Sequence, residues 1–330
     1  MKKKIIVIIC LLFGLYAGAV ELADPPQATI TNGLVTATLY LPDAEKGHYQ
    51  ATRFDWSGII SSLEYGGHSF YGKWSDSEGP KVHDAVMGPA ESYAPLGYSD
   101  ATTGGTFIRI GVGVLRKPKE KAYSEYKLYD IVDGGKWTVS PKKDRVEFTQ
   151  ELHDSTGYAF IYKKTVRLVK GKPQMVLEHS LKNTGTKVIE TDMFNHNFPV
   201  IDKEPTGPNI KFIFPFDVNE GIGGRGWGTV GKTNGKEINF LRALNKNEQL
   251  YSAGLQGLGG TYKDYDIKMQ NQKTGAGIHV TSDQALEKLV YWACPTTACP
   301  EPYIKISVAP GKEMKWNTNY EYYTFTPDTK

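Results

Sequence analysis

The chain has 330 residues, 40% of them hydrophobic and 12% aromatic, with 39 Lys and Arg against 36 Asp and Glu. The basic excess belongs to the first 19 residues, which carry Lys2, Lys3 and Lys4 and no acid, so the remainder holds 36 charges of each sign. That neutral balance argues against a nucleic-acid partner, whose phosphates call for a positive surface.

The chain opens on those three lysines, continues through an apolar run from Ile5 to Tyr16, and reaches the small residues Ala17-Gly18-Ala19 before Val20. The run is about 12 residues long, short of the roughly 20 that span a bilayer. The pattern is that of a cleaved export signal, with a retained anchor as the alternative. Residues 1–19 are therefore expected to be removed. Residues 20–330 would remain as one exported domain, periplasmic or secreted, with no stable membrane anchor. Cleavage takes Cys10 with it and leaves Cys294 and Cys299, in Cys-Pro-Thr-Thr-Ala-Cys. In an exported protein that pair is either a disulfide closing a tight loop or two free thiols. A zinc site is not expected, because two cysteines without a nearby histidine leave a tetrahedron half filled.

Period-2 alternation and turn residues dominate the rest of the chain. Ala28–Thr31, Asn32-Gly33 and Leu34–Leu41 spell a hairpin, and Gly58–Tyr65, Gly66-Gly67 and His68–Tyr71 a second. Thr106–Leu115 reads as one long strand punctuated by glycine. Strands are then expected at Arg145–Leu152, Ala159–Leu168, Gln174–Leu181 and Val188–Phe194. These segments are rich in Val, Ile, Tyr and Thr, and turn residues separate them. Later candidates are Ile210–Phe216, Lys236–Leu241, Leu250–Leu255, Asp266–Gln270, Gly277–Thr281, Leu289–Trp292, Ile304–Val308 and Trp316–Phe325. Asp283–Lys288 could form a turn or two of helix. So many antiparallel signals predict an all-β fold, a large antiparallel β-sandwich.

Two phosphate-loop patterns occur and neither fits its mechanism. Gly221-Ile-Gly-Gly-Arg-Gly226 has the spacing of a dinucleotide loop, and Gly226–Thr233 that of a Walker loop. Both require a helix whose N-terminus meets the phosphates. Lys232-Thr233 leads instead into Asn234-Gly235 and a strand-like Glu237–Leu241, so no nucleotide is expected. The Asn219–Gly235 loop reads either as a flap offering Arg225 or Trp227 to a ligand or as a solvated connection. Ser140-Pro-Lys-Lys143 lies in a turn without the partner motifs that serine catalysis needs.

The sharpest candidate is His196, in Asp192-Met-Phe-Asn195-His196-Asn197-Phe198. A lone strand histidine is often structural. Here Asn195 and Asn197 could orient the imidazole and Phe198 could wall it.

This element resembles the Asn-His-(Thr/Ser)-Tyr-Phe pattern of the aldose 1-epimerases, the galactose mutarotase superfamily. So does the closing pattern Glu301-Pro-Tyr…Ala309-Pro-Gly311…Tyr320-Glu-Tyr-Tyr-Thr-Phe325. Val82-His83-Asp-Ala-Val-Met-Gly88 is similar to the family's Leu-His-Gly-Gly-x-x-Gly, and Asp264-Tyr-Asp266 to its Tyr-Asp-His element. The family's arginine has no clean match; Arg53 and Arg109 are the substitutes. The resemblance implies the galactose mutarotase-like supersandwich and interconversion of sugar anomers without a cofactor or metal. It also implies Glu301 as the base at the anomeric hydroxyl and His196 as the acid at the ring oxygen, facing each other across one pyranose. His83, Asp266 and an arginine would contact the mono- or oligosaccharide. Trp74 and Trp292 lie near these elements, and Trp137 and Trp316 read as core. A bridge between Cys294 and Cys299 would brace the Glu301 segment. The competing readings are a non-catalytic sugar-binding protein and a lyase or hydrolase acting on glycosides.

Overall fold

The computed structural model describes residues 24–327 except Ile222, so the expected export signal lies outside the described residues. The alternating segments form antiparallel sheets. Helical structure among the described residues is confined to the 3₁₀ turns Ile201–Lys203 and Tyr262–Asp264. Both predicted hairpins are present, Gln27–Thr31 with Val35–Tyr40 and Ile59–Tyr65 with His68–Tyr71. Gly66 and Gly67 both have positive φ, 60° and 82°, which the second turn requires and glycine adopts without strain.

A ten-stranded sheet runs from the Gly231–Asn234 hairpin through Asp266–Asn271, Ala276–Ser282, Glu313–Thr324, Gln174–Asn183 and Ala159–Leu168 to Lys136–Pro141. A five-stranded sheet has the order Leu250–Ser252, Lys288–Cys294, Thr297–Val308, Ile189–His196, Ala90–Tyr93. Inward side chains of both sheets, among them Phe148, Leu177, Trp316, Met193, Leu289 and Ile304, belong to one continuous core. Alternate residues of a strand point to opposite faces, so each strand gives half its residues to this core. The other face of the five-stranded sheet is covered as well. A second apolar cluster, including Phe54, Trp56, Val86, Phe107 and Tyr129, packs there against Phe194, Phe198 and Cys299.

Three expectations change. Thr106–Leu115 is not one strand but a tight hairpin, Thr106–Arg109 with Gly113–Arg116. Its corner passes so close to Asp55 that a Cβ on Gly111 would lie 2.4 Å from Oδ1. Asp283–Lys288 is an irregular connection rather than helix. The strand expected at Ile304–Val308 begins earlier, at Thr297, so Glu301 is in its middle. Pro300 and Pro302 are tolerated there because pairing with the Ile189–His196 strand stops at Phe194 opposite Tyr303. Beyond that point Asn197 Nδ2 donates to the Pro300 carbonyl at 3.2 Å. The phosphate-loop patterns lead into a hairpin, Gly231–Asn234 against Glu237–Phe240.

Candidate functional site

On the loop-covered face of the five-stranded sheet the registers set out a grid of side chains. Trp292 lies opposite Cys299 and Tyr251, Val290 opposite Glu301, and Lys288 opposite Tyr303. Carrying the Phe194–Tyr303 register two residues further brings His196 beside Glu301. The imidazole Nε2 and the carboxylate Oε1 are 3.3 Å apart. The two groups expected to face each other across a sugar are thus cross-strand neighbours on one wall. Both open onto a cavity of about 650 Å³ that Arg53, Trp74, Asp84, Glu125, Tyr126 and Tyr303 help to line.

Aromatic rings fix the imidazole. Phe198 stacks on it at 3.7 Å between centroids, Trp74 stacks on Phe198 at 4.7 Å, and Phe54 and Trp292 meet it edge-on. Phe198 reaches this position with a φ of 41°, a left-handed backbone rare for a bulky side chain. Such strain collects at functional sites.

Burial dominates the electrostatics of the pair. It pushes Glu301 up to about 8, with Arg53 opposing and Glu125 reinforcing the shift. It also holds His196 well below the ordinary histidine range, helped by the positive charge of Arg53. Ion-pair separation is therefore combined with neutral partners, a protonated carboxyl beside an unprotonated imidazole. Arg53 is itself buried, its guanidinium 3.4 Å from Asp84 and 3.8 Å from Glu125 and in contact with the Phe54 and Tyr126 rings.

Several expected ligands lie elsewhere. Arg109 does not reach the cavity; it is buried and donates to the Arg53 carbonyl, Ser92 and Tyr123. It props up the backbone of the arginine that does line the site. Asn195 points into the core, where its Nδ2 donates to Tyr320 at 2.8 Å, and Asn197 accepts from the same hydroxyl at 2.9 Å. Neither touches the imidazole, because positions one residue either side of His196 face the opposite way. Asp266 sits on the outer face of the ten-stranded sheet, 2.7 Å from His279 Nε2 and remote from the cavity. Trp227 packs on Tyr291 and donates to the Tyr251 carbonyl at 2.8 Å. With the bridges Arg225–Tyr251 and Asn219–Gln256 it pins the expected flap down. Arg225 lines the cavity with its guanidinium 5.0 Å above the Tyr251 ring. His83 does not line the cavity; neither ring nitrogen has a partner, and burial and Arg53 lower its basicity. Cys294 and Cys299 are both free. Across the tight turn Cys294 pairs with Thr297, while Cys299 lies opposite Trp292.

Glu125, Tyr126, Tyr251, Lys288 and Tyr303 were not anticipated. Parity could have found Lys288 and Tyr303, two residues from Val290 and Glu301 on their strands. Glu125 and Tyr126 belong to a loop without periodicity and gave no signal.

No protein-family model matches the chain, and no curated protein matches it in sequence. Solved structures do match in fold. The Slr1438 protein of Synechocystis sp. PCC 6803 aligns with a TM-score of 0.58 at 13% identity, over 94% of this chain and 100% of that one. A galactose mutarotase related enzyme from Lactobacillus acidophilus aligns with a TM-score of 0.54 at 13% identity, over 92% and 99%. An aldose epimerase homologue from C. elegans aligns with a TM-score of 0.50 at 13% identity, over 91% and 99%. The chain has the galactose mutarotase-like fold.

Proposed function

We propose that this chain is an exported enzyme of aldose 1-epimerase type, in which His196 and Glu301 open and reclose the ring of an aldose. The observation that carries the reading is the buried His196–Glu301 pair, 3.3 Å apart at the floor of a cavity large enough for a sugar. The anomeric hydroxyl and the ring oxygen share one carbon, so an acid and a base on adjacent cross-strand positions can serve both.

The pair holds one mobile proton, on Glu301 at rest. Neutral His196 takes the proton of the anomeric hydroxyl while Glu301 gives its own to the ring oxygen. The bond between that oxygen and the anomeric carbon breaks, and the carbonyl forms. After rotation about the adjacent carbon–carbon bond, the Glu301 carboxylate takes the proton back, the ring oxygen attacks the other carbonyl face, and His196 protonates the new hydroxyl. Each side chain thus acts once as acid and once as base, exchanging the fixed roles that the resemblance implied, and the pair ends as it began. Each proton transfer contributes on the order of 10²–10⁴-fold in rate. Arg53 stabilises the transient carboxylate, and the stacked rings of Phe198 and Trp74 keep the imidazole in register.

Proton NMR of freshly dissolved α-glucose and α-galactose tests this. The wild type should accelerate anomer exchange, and His196→Ala and Glu301→Gln should abolish the acceleration. Binding without acceleration would return the protein to the non-catalytic reading, and release of new reducing ends from oligosaccharides would make it a glycosidase or lyase. The export reading rests on Lys2–Lys4, the apolar run and Ala17-Gly18-Ala19. It predicts a mature protein beginning at Val20, which N-terminal sequencing checks.

A further inference from the structure

The charges around the cavity are unevenly partnered. Arg53 is matched by Asp84 at 3.4 Å and Glu125 at 3.8 Å. Arg225 and Lys288 also line the cavity, and among the described residues no carboxylate comes within ion-pair distance of either. Each is steadied by an aromatic face instead, Arg225 over Tyr251 and Lys288 Nζ over Tyr303, both at 5.0 Å from the ring centroid. The lining thus carries three cations, Arg53, Arg225 and Lys288, of which Asp84 and Glu125 partner only Arg53. Arg225 is bridged to Tyr251 in the Trp292 row of the grid and Lys288 stands in the Tyr303 row, with the Val290–Glu301 row between them.

The grid relates these cations to the reacting groups. Lys288 lies opposite Tyr303, two residues along from Val290, which lies opposite Glu301. At roughly 3.4 Å per residue, two residues displace Lys288 by about 7 Å along the sheet, which is about the span of a pyranose. A sugar with its anomeric carbon at His196 and Glu301 would therefore meet Lys288 on one flank and Arg225, beside Tyr251 and Trp292, on the other. Cations held over aromatic rings and lacking carboxylate partners suit an anionic substituent. They offer it charge-assisted hydrogen bonds without first breaking an internal ion pair.

We propose that the preferred ligand is an anionic pyranose, a uronic acid or a sulfate ester of a sugar, whose negative group is held by one of the two unpartnered cations that flank the reacting pair, Arg225 or Lys288. This rests on the assignment of the cavity as a sugar site and adds the charge of its substrate. Neutral hexoses enter the same cavity without using these two cations.

Binding measured by NMR titration at low ionic strength tests the proposal without reference to turnover. Glucuronate, galacturonate and glucose 6-sulfate are each compared with glucose and galactose. At least one anionic sugar should bind the wild type about tenfold or more tighter than its neutral parent, and added salt should narrow the gap. Carboxylate against sulfate ester is decided by which anion shows the preference. The double variant Arg225→Ala, Lys288→Ala should bring the anionic and neutral sugars to equal affinity, while Arg225→Lys, Lys288→Arg should keep the order. Equal affinities in the wild type, or a preference that survives the double alanine variant, would overturn the proposal. Tight uronate binding without any acceleration of anomer exchange would uphold it and sink the epimerase reading instead.

Discussion

Glu301 is expected to weaken the fold that carries it, and Glu301→Gln measures by how much. The carboxyl has an ordinary value of 4.5 and is pushed up to about 8 by burial. Between those values the unfolded chain releases the proton and the folded chain keeps it. The folded state therefore binds more protons, and stability falls as pH rises through the window. At 1.36 kcal/mol per pKa unit, the penalty is about 3 kcal/mol at pH 7 and levels off near 5 kcal/mol above pH 8. Glutamine has nearly the shape of the protonated acid and never ionises. The variant should therefore match the wild type near pH 4 and exceed it by about 3 kcal/mol at pH 7, while losing anomer exchange. Urea unfolding of both proteins at a series of pH values reads the difference directly, because titrations common to the two cancel. A gap that does not grow between pH 5 and 8, or a variant less stable than the wild type at pH 8, would refute the claim that burial keeps this carboxyl protonated.

Other consequences arise from the same geometry. Because the pair needs its mobile proton, kcat/KM should fall with rising pH through about 8, where Glu301 gives that proton up; a rate flat to pH 10 would show that the proton is not required. Lys164 is a fully buried cation 2.8 Å from Glu91 and 3.5 Å from Asp55. Lys164→Met strands those carboxylates and should cost about 3–5 kcal/mol in denaturant unfolding, whereas an unchanged midpoint would mean that the network adds nothing. Tyr320→Phe deletes the hydroxyl that joins Asn195 and Asn197 on either side of His196. It should cost about 1–3 kcal/mol of stability and reduce kcat more than it changes KM, and a change confined to KM would place Tyr320 outside the alignment of the imidazole.

The strand pattern was legible because alternation and turn chemistry act locally. Ala159–Leu168 runs between the bounds its pattern predicts, and Gly66-Gly67 turns where it should. Thr106–Leu115 misled because a glycine inside a strand pattern also permits a close approach, and here Gly111 passes against Asp55. At the site, the closeness of His196 and Glu301 came from resemblance, since no local rule joins positions so far apart in the chain. Strand parity could have excluded Asn195, which faces away from His196 as neighbours on a strand must. Arg53 and Arg109 could not be told apart in sequence. Which of them meets the cavity depends on how the 41–58 loop packs over the sheet, with Arg109 beneath holding the Arg53 carbonyl. Asp266 had the right local motif on the wrong sheet.

The proposed function rests on one proton moving between an imidazole and a carboxyl that stand side by side beneath a bound sugar. Anomer exchange of α-glucose, α-galactose and their uronates, recorded by proton NMR with wild type, His196→Ala and Glu301→Gln, tests it without intermediaries. The wild type should accelerate exchange, and each variant should lose that acceleration by about 10²-fold or more. Wild-type exchange no faster than in buffer, or full acceleration retained by either variant, would contradict it.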